Sequence, residues 1–73
     1  MKPGPLFART VRLGRHVKSF EIWRLSGGWI AAKADDRRVI DRRELTDWHR
    51  VERTASRFAD EVSVLLRQGW VEA

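Results

Sequence analysis

The feature that most constrains the fold is a set of six apolar residues that recur at helical spacing in the second half of the chain. Successive members are separated by three or four residues, which places all of them on one stripe of an α-helix. The six are Trp48, Val51, Ala55, Phe58, Val62 and Leu65. Such a stripe must be covered by another element. The sequence therefore predicts a helix over residues 46–67 that packs against a sheet.

The beginning of this helix is less sharply defined than its end. Two pairs are suitable N-terminal caps: Asp41 with Glu44, and Thr46 with Asp47. A restart at Thr54 or Ser56 would divide the segment between residues 42 and 68 into two helices. At the other end, Gly69 can adopt the left-handed conformation that terminates a helix, with Trp70 folding back towards the last turn. Both alternatives, one continuous helix and two shorter ones, remain open for this segment.

Short β-strands are predicted before the helical stripe, from alternating side chains and turn signals. In the first of them, Phe20 and Ile22 fall on one face, whereas Trp23 and Leu25 fall on the other. The predicted strands cover residues 17–25, 29–34 and 37–40, with turns at Ser26-Gly27-Gly28 and Asp35-Asp36. Tight turns indicate an antiparallel meander. The predicted fold is α+β, a three-stranded antiparallel sheet packed against a C-terminal helix in one or two segments.

The net charge of the chain, +5, is concentrated at its beginning. The first twenty residues contain five basic side chains and no Asp or Glu, whereas the remainder contains ten basic and ten acidic residues. Pro3, Gly4 and Pro5 disfavour helix and reduce the number of backbone donors. We therefore predict a flexible basic arm over residues 1–16, separable from an α+β domain over residues 17–73. The alternative is an additional edge strand with a frayed beginning.

Chain length limits the fold to one small domain. A 73-residue chain buries only about 60% of the surface of its unfolded state, so its core needs bulky side chains. Four tryptophans and three phenylalanines are expected to fill that core. The absence of cysteine excludes disulfides and thiolate zinc sites. Without an apolar run of spanning length or a secretory leader, the sequence predicts a soluble intracellular protein.

No catalytic, cofactor or metal motif is recognisable. His16 and His49 lie far apart and belong to no metal-binding spacing. No serine lies in a nucleophile elbow, and the Gly27-Gly28 pair lacks the context of a nucleotide-binding loop. Adjacent acids such as Asp35-Asp36 point in different directions and rarely form a catalytic pair. We expect a binding protein rather than an enzyme.

Two classes of partner fit the pattern of charges and aromatics. Nucleic acid is one, because the arm, Arg37-Arg38 and Arg42-Arg43 could neutralise phosphates while Trp23 or Trp29 stacked bases. However, the arginines after the arm alternate with acidic residues, which weakens the field that phosphates would experience. A protein partner is the other, with Leu6-Phe7 as an apolar anchor among the arginines. The candidate partner-binding residues are Lys2, Leu6, Phe7, Arg9, Arg12, Arg15, Lys18, Arg42 and Arg43.

A resemblance narrows the choice. From its first residues, Met-Lys-Pro-Gly-Pro-Leu-Phe, to Leu-Leu-Arg-Gln-Gly-Trp near its end, the chain resembles small transcription regulators that lytic phages of proteobacteria direct against the host RNA polymerase. The resemblance implies binding near the RNA exit channel, to the β flap and the N-terminal part of β′. It also implies inhibition of σ-dependent initiation, antitermination, residence in the host cytoplasm and no catalysis.

Overall fold

The sheet dominates the architecture, and a helix covers one of its faces. A computed structural model describes residues 4–73. Within these residues the elements are β1 (Phe7–Leu13), β2 (His16–Leu25), β3 (Gly28–Asp35), β4 (Arg38–Leu45), α1 (Trp48–Arg67) and β5 (Val71–Glu72). The strands lie in the order β4-β3-β2-β1-β5, and all neighbours are antiparallel. The α+β class with a C-terminal helix is therefore as predicted.

Residues 7–13 of the predicted basic arm form a strand of the sheet. β1 pairs with β2 from Phe7 opposite Ile22 to Leu13 opposite His16, and its other edge pairs with β5. Val11 in β1 is fully buried. Basic residues do not prevent this pairing, because their long side chains reach solvent while the apolar residues between them are covered. The prediction of three strands after a flexible arm is therefore wrong: the sheet has five strands. The alternative of an additional strand is correct, but that strand, β1, lies between β2 and β5 rather than at the edge.

β4 extends five residues beyond its predicted end at Ile40. Its second half is polar because β4 is an edge strand, so only its last residue, Leu45, is buried. The pairing with β3 shifts between Lys33 and Ala34, and this irregularity leaves Ile40 without a partner in the register. The absence of apolar alternation made this segment resemble the beginning of a helix.

The helix is continuous, and its N-terminal cap is Asp47. This residue has an extended backbone, and its side chain accepts a hydrogen bond from the His49 N–H at 2.9 Å. Most of the predicted stripe faces the sheet: Val51, Phe58 and Val62 are buried, while Ala55 and Leu65 pack against the core. Thr54, which is not on the predicted stripe, is also buried.

The helix ends at the predicted glycine. Gly69 has φ of +103°, and its N–H donates to the Leu66 carbonyl at 3.2 Å. The Trp70 N–H donates to the Leu65 carbonyl at 3.0 Å. These two bonds define a Schellman motif, which satisfies carbonyl groups at the end of the helix. The chain then turns back to pair as β5 with β1.

Phenylalanines connect the helix to the sheet. The Phe58 ring of α1 lies 5.9 Å from the ring of Phe7 and 5.4 Å from that of Phe20, both in tilted geometry. The three largest side chains that are fully buried are Val11, Ile22 and Val62. Because Phe7 and Val11 both belong to β1, the core depends on the segment that was predicted to be a separable arm.

Tryptophan contributes less to the core than expected. Trp29 and Trp70 pack against the core, but Trp23 and Trp48 are 38% and 51% exposed. Trp48 lies at the first turn of α1, with its ring 5.6 Å from that of Trp29. Trp23 points away from the helix, as its alternation with Phe20 and Ile22 predicted.

Candidate binding surfaces

Strand alternation divides the predicted partner-binding residues between the two faces of the sheet. Phe7 and Arg9 share the face covered by α1, whereas Leu6 and Arg12 lie on the opposite face. We call this opposite face the open face, because no element within residues 4–73 covers it. By register it carries Leu6, Ala8, Thr10, Arg12, Val17, Ser19, Glu21, Trp23, Leu25, Ile30, Ala32, Ala34, Val39, Arg42 and Glu44.

Three predicted contact residues on the helix side have partners inside the fold. Phe7 stacks on Phe58 and belongs to the core rather than to an exposed anchor. Arg9 donates two hydrogen bonds to Glu72, at 2.5 and 2.6 Å, and these bonds hold the pKa of the Glu72 carboxyl below its ordinary value. The Lys18 ammonium lies 3.0 Å from an Asp35 oxygen and 5.7 Å from the centre of a Trp70 ring.

The open face carries an apolar patch at one end. The Leu6 N–H donates to the Ile22 carbonyl at 2.9 Å, which extends the β1–β2 register by one residue and brings Leu6 into the row of Trp23 and Ile30. Leu6, Trp23 and Leu25 are 50%, 38% and 41% exposed. We define the apolar patch as Leu6, Trp23, Leu25 and Ile30. A contiguous exposed group of this kind is typical of a surface that binds another molecule.

Arginines flank the open face. Arg12 lies at the end of β1 opposite the apolar patch, Arg15 lies in the following turn, and Arg42 extends from the edge strand β4. All three are exposed, and within residues 4–73 none of them forms an ion pair. Lys2 is outside the described residues. Of the nine predicted residues, Leu6, Arg12, Arg15 and Arg42 are therefore available to a partner of the open face.

Two hairpin turns are joined at the arginine end of the sheet. Asp36, in the β3–β4 turn, accepts a hydrogen bond from the Val17 N–H at 2.9 Å, and its other oxygen lies 3.2 Å from His16 Nδ1. The bond from Val17, and then the contact with His16, lower the pKa of Asp36 below its ordinary value. Asp36 thereby fixes the position of the β1–β2 turn, which carries Arg15, relative to the β3–β4 turn.

A second surface, which the sequence analysis missed, lies between α1 and β4. It is a groove of about 340 Å³. We call it the basic groove and define it by four arginines in its lining: Arg43, Arg50, Arg53 and Arg57. Arg43 is 3.5 Å from Asp41, but no ion pair is found for the three helical arginines among the described residues. Their spacing of three and four residues is the signal that could have identified them.

The groove continues past an ion pair into an apolar section. Lys33 of β3 contacts both carboxylate oxygens of Glu61 in α1, at 3.0 and 3.1 Å, and this pair lines both sections. Beyond it lies a cavity of about 380 Å³. We call it the apolar groove and define it by four apolar residues of its lining: Phe20, Ile40, Val64 and Leu65. Ile40 and Val64 are 53% and 42% exposed, so the lining includes accessible apolar side chains.

No group of three or more metal-ligating side chains occurs among the described residues. The two histidines contact different carboxylates: His16 lies near Asp36, while His49 Nδ1 is 3.9 Å from Glu52. No helix in the described part of the chain is long and apolar enough to span a membrane.

Comparison with known protein families, curated proteins and solved structures returned no match.

Proposed function

We propose that this chain is a non-enzymatic phage regulator that binds the host RNA polymerase near the RNA exit channel, inhibits σ-dependent initiation and promotes antitermination. The identity of the partner comes from the resemblance of the whole sequence to regulators of this kind. The observation that supports a protein partner is the composition of the open face. Exposed leucine and tryptophan side chains lie at one end of it, and arginines that form no ion pair within residues 4–73 lie at its other end and edge.

Exposed apolar side chains together with arginines are more typical of a surface that binds a protein than of one that binds a nucleic-acid backbone. Tryptophan and arginine are the residue types that most often dominate binding energy at interfaces, particularly where an apolar centre is surrounded by polar groups. In the apolar patch, Trp23 and Leu6 would be covered by the partner. Arg12, Arg15 and Arg42 would contact carboxylates at its margin, where charge mainly accelerates association and selects partners.

The action we propose is steric. The sheet covered by α1 forms a body with a radius of gyration of 12.6 Å. Bound to the β flap and the N-terminal part of β′, the elements that the resemblance implies, it would occupy space needed by σ. Because the same region guides emerging RNA, occupation would also hinder formation of the terminator hairpin. This mechanism needs no active site, and its place of action would be the host cytoplasm.

Nucleic acid is the weaker candidate for the open face. The Trp23 indole N–H donates to Glu21 at 3.3 Å, so a carboxylate lies beside the exposed ring on which a base would stack. A phosphate backbone that passed this ring would approach that negative charge. Direct binding of RNA or DNA would also weaken steeply with salt, since its affinity depends on counterion release.

Capture of purified host core RNA polymerase by the immobilised full chain tests the proposal. We expect Trp23→Ala to weaken capture about tenfold or more, as for a central interface tryptophan. Trp48→Ala is the matched control, because Trp48 is also an exposed tryptophan but lies on the helix side. Circular dichroism would confirm that both variants are folded. Equal capture by the two variants would exclude the open face, and no capture by the unmodified chain would exclude polymerase as the partner.

Transcription reactions with the same proteins test the consequence of binding. The unmodified chain should reduce transcripts from a σ-dependent promoter and increase read-through of an intrinsic terminator. Trp23→Ala should do neither at the same concentration, whereas Trp48→Ala should do both. Tight binding of naked RNA at physiological salt, without binding of polymerase, would instead favour the nucleic-acid alternative.

A further inference from the structure

We propose that the groove beside α1 is a second docking site, for a peptide segment of a partner protein in which carboxylates lie close in sequence to a bulky apolar residue. This inference goes beyond the proposed function and does not depend on it, because the groove lies on the opposite side of the sheet from the open face. It uses residues that the polymerase proposal leaves without a role.

The basic groove has an excess of positively charged side chains. The basic groove brings Arg50, Arg53 and Arg57 together on one side of the helix, facing Arg43 of β4. The lining also includes Lys33 and three acidic residues, Asp41, Glu44 and Glu61, of which Glu44 is turned by its register towards the open face. Cations therefore exceed anions in the groove. Guanidinium groups bind carboxylates through paired hydrogen bonds, which makes an acidic side chain a suitable ligand.

The lining of the groove changes along its length from arginines to apolar side chains. The basic groove leads past Lys33 and Glu61 to the apolar groove, where Ile40 and Val64 are exposed. Arg57 and Val64 are seven residues apart in α1, which is about 10 Å along the helix axis. An extended peptide spans this distance with about three residues. The ligand should therefore carry its carboxylates about three residues from its apolar anchor.

The ion pair between Lys33 and Glu61 lies between the two sections of the groove. Lys33 and Glu61 are both partly exposed, with 26% and 36% of their side chains accessible. A ligand carboxylate that approached Lys33 would compete with Glu61 for the ammonium group and would be repelled by the Glu61 charge. Glu61 should therefore limit the affinity of the groove for acidic ligands. Removing its charge frees Lys33 and should increase that affinity.

The apolar groove also decides between a peptide and a nucleic acid. Its one aromatic lining residue within the described part of the chain, Phe20, is only 4% exposed, so its ring offers no surface on which a base can stack. Ile40 and Val64 match an aliphatic or aromatic side chain of a peptide. A nucleic acid would contact the arginines but leave this half of the groove without a ligand.

The test is a titration of the isotopically labelled full chain, followed by NMR. The probe is a synthetic peptide with a run of glutamates followed, about three residues later, by a leucine–phenylalanine pair. We expect shifts at the backbone amides of Lys33, Arg57 and Val64, and little change at Trp23. Replacement of the glutamates by glutamine, or of the leucine–phenylalanine pair by serines, should each weaken binding about tenfold.

Three variants test the residues of the groove. Arg53→Gln with Arg57→Gln should weaken peptide binding about tenfold, whereas Glu61→Gln should strengthen it about threefold. Arg67→Gln is the control, because Arg67 is also an exposed arginine of α1 but is not part of the groove lining. Unchanged amides at peptide saturation, or equal loss of affinity in all arginine variants, would overturn the proposal. Stronger binding of an oligouridine probe at these amides would also overturn it.

The proposal for the groove and the proposal for the open face can be contradicted independently of each other. If the peptide binds but polymerase capture is absent, the groove proposal stands and the polymerase proposal fails. If Trp23→Ala abolishes capture while no peptide binds, the reverse is true. The Arg53→Gln, Arg57→Gln variant can be used in both experiments, and it should leave capture through the open face unchanged.

Discussion

Arg9 and Glu72 are joined by a bidentate ion pair, in which Nε and Nη2 donate to the two carboxylate oxygens at 2.5 and 2.6 Å. The pair connects β1, near the beginning of the chain, to β5, near its end. Both side chains are about one-third exposed, so the pair contributes less than a buried one would. Its position shows that β1 and β5 meet at one edge of the sheet, where the Ala73 N–H also donates to the Thr10 carbonyl at 2.9 Å.

Deletion of residues 1–15 is expected to unfold the protein. The deletion removes β1, and with it Val11, which is fully buried, and Phe7, which packs on Phe58. Burial of valine alone is worth about 1.5–3 kcal/mol, and a domain of this size is stable by roughly 5–10 kcal/mol. Circular dichroism during heating should show no cooperative transition. Deletion of residues 1–4, which precede β1, is the control and should preserve the transition.

That prediction reverses the expectation from sequence, and the reason is specific to β1. Charge and the prolines before it indicated a flexible arm, but both observations concern composition rather than pairing. Alternation was present: Phe7, Arg9 and Val11 share one face, and Leu6 and Arg12 the other. The arginine at position 9 concealed it, because a charged residue on the buried face is unexpected until its partner, Glu72, is known. That partner is 63 residues away.

The helix could be predicted because all its signals are local. The spacing of apolar residues marks its face and Gly69 marks its end, whereas its beginning had two candidate caps, of which the structure uses Asp47. The basic groove has a local signal as well, since Arg50, Arg53 and Arg57 recur at helical spacing. It was not recognised because the opposing wall, β4, was expected to end at residue 40. An edge strand lacks the apolar pattern that identifies a central one.

Acid should destabilise the fold through two carboxylates in particular. Bonds from Val17 and His16 lower the pKa of Asp36 from 3.8, and bonds from Arg9 lower the pKa of Glu72 from 4.5. A lowered folded-state pKa means stabilisation that is complete above the ordinary value and is lost as pH falls towards the folded value. The melting temperature should therefore fall as pH decreases below about 4.5.

The double variant Asp36→Asn, Glu72→Gln measures how much these two carboxylates contribute to the pH dependence of the melting temperature. It should melt below the unmodified protein at neutral pH, and the difference between the two should shrink as pH decreases through this range. High salt should reduce the difference at neutral pH, because both groups are exposed and screened. A constant difference between the two melting temperatures from neutral pH to pH 3 would contradict the assignment.

Gly69→Val is expected to destabilise the protein by about 1 kcal/mol or more. No heavy atom outside its neighbours lies within 4 Å of the position that a Cβ would occupy. The cost therefore arises from the backbone, since φ of +103° is unfavourable for a β-branched residue. Chemical denaturation should give this difference in the free energy of unfolding, with little change in how steeply that free energy falls with denaturant concentration.

Gly28→Ala separates this conformational effect from a steric one. A Cβ at position 28 would collide with the backbone carbonyl of Leu45, a group that cannot move without disturbing the β3–β4 pairing. Alanine, although smaller than valine, should therefore be more damaging at position 28 than at position 69. A larger loss of stability for Gly69→Ala than for Gly28→Ala would show that the close approach is not present in solution.

Arg37→Gly is expected to stabilise the fold. Asp36 and Arg37 form the two-residue β3–β4 turn with φ of 49° and 70°, the geometry of a type I′ turn. Aspartate tolerates a positive φ, but arginine in this conformation costs about 1 kcal/mol, and glycine removes that cost at the second turn position. The melting temperature should rise accordingly. Arg38→Gly, one residue later in β4, removes the same charge where φ is not positive, so it should lower the melting temperature because glycine weakens a strand. If both variants raised the melting temperature, relief of charge repulsion at this end of the sheet, rather than of backbone strain at Arg37, would be the dominant effect.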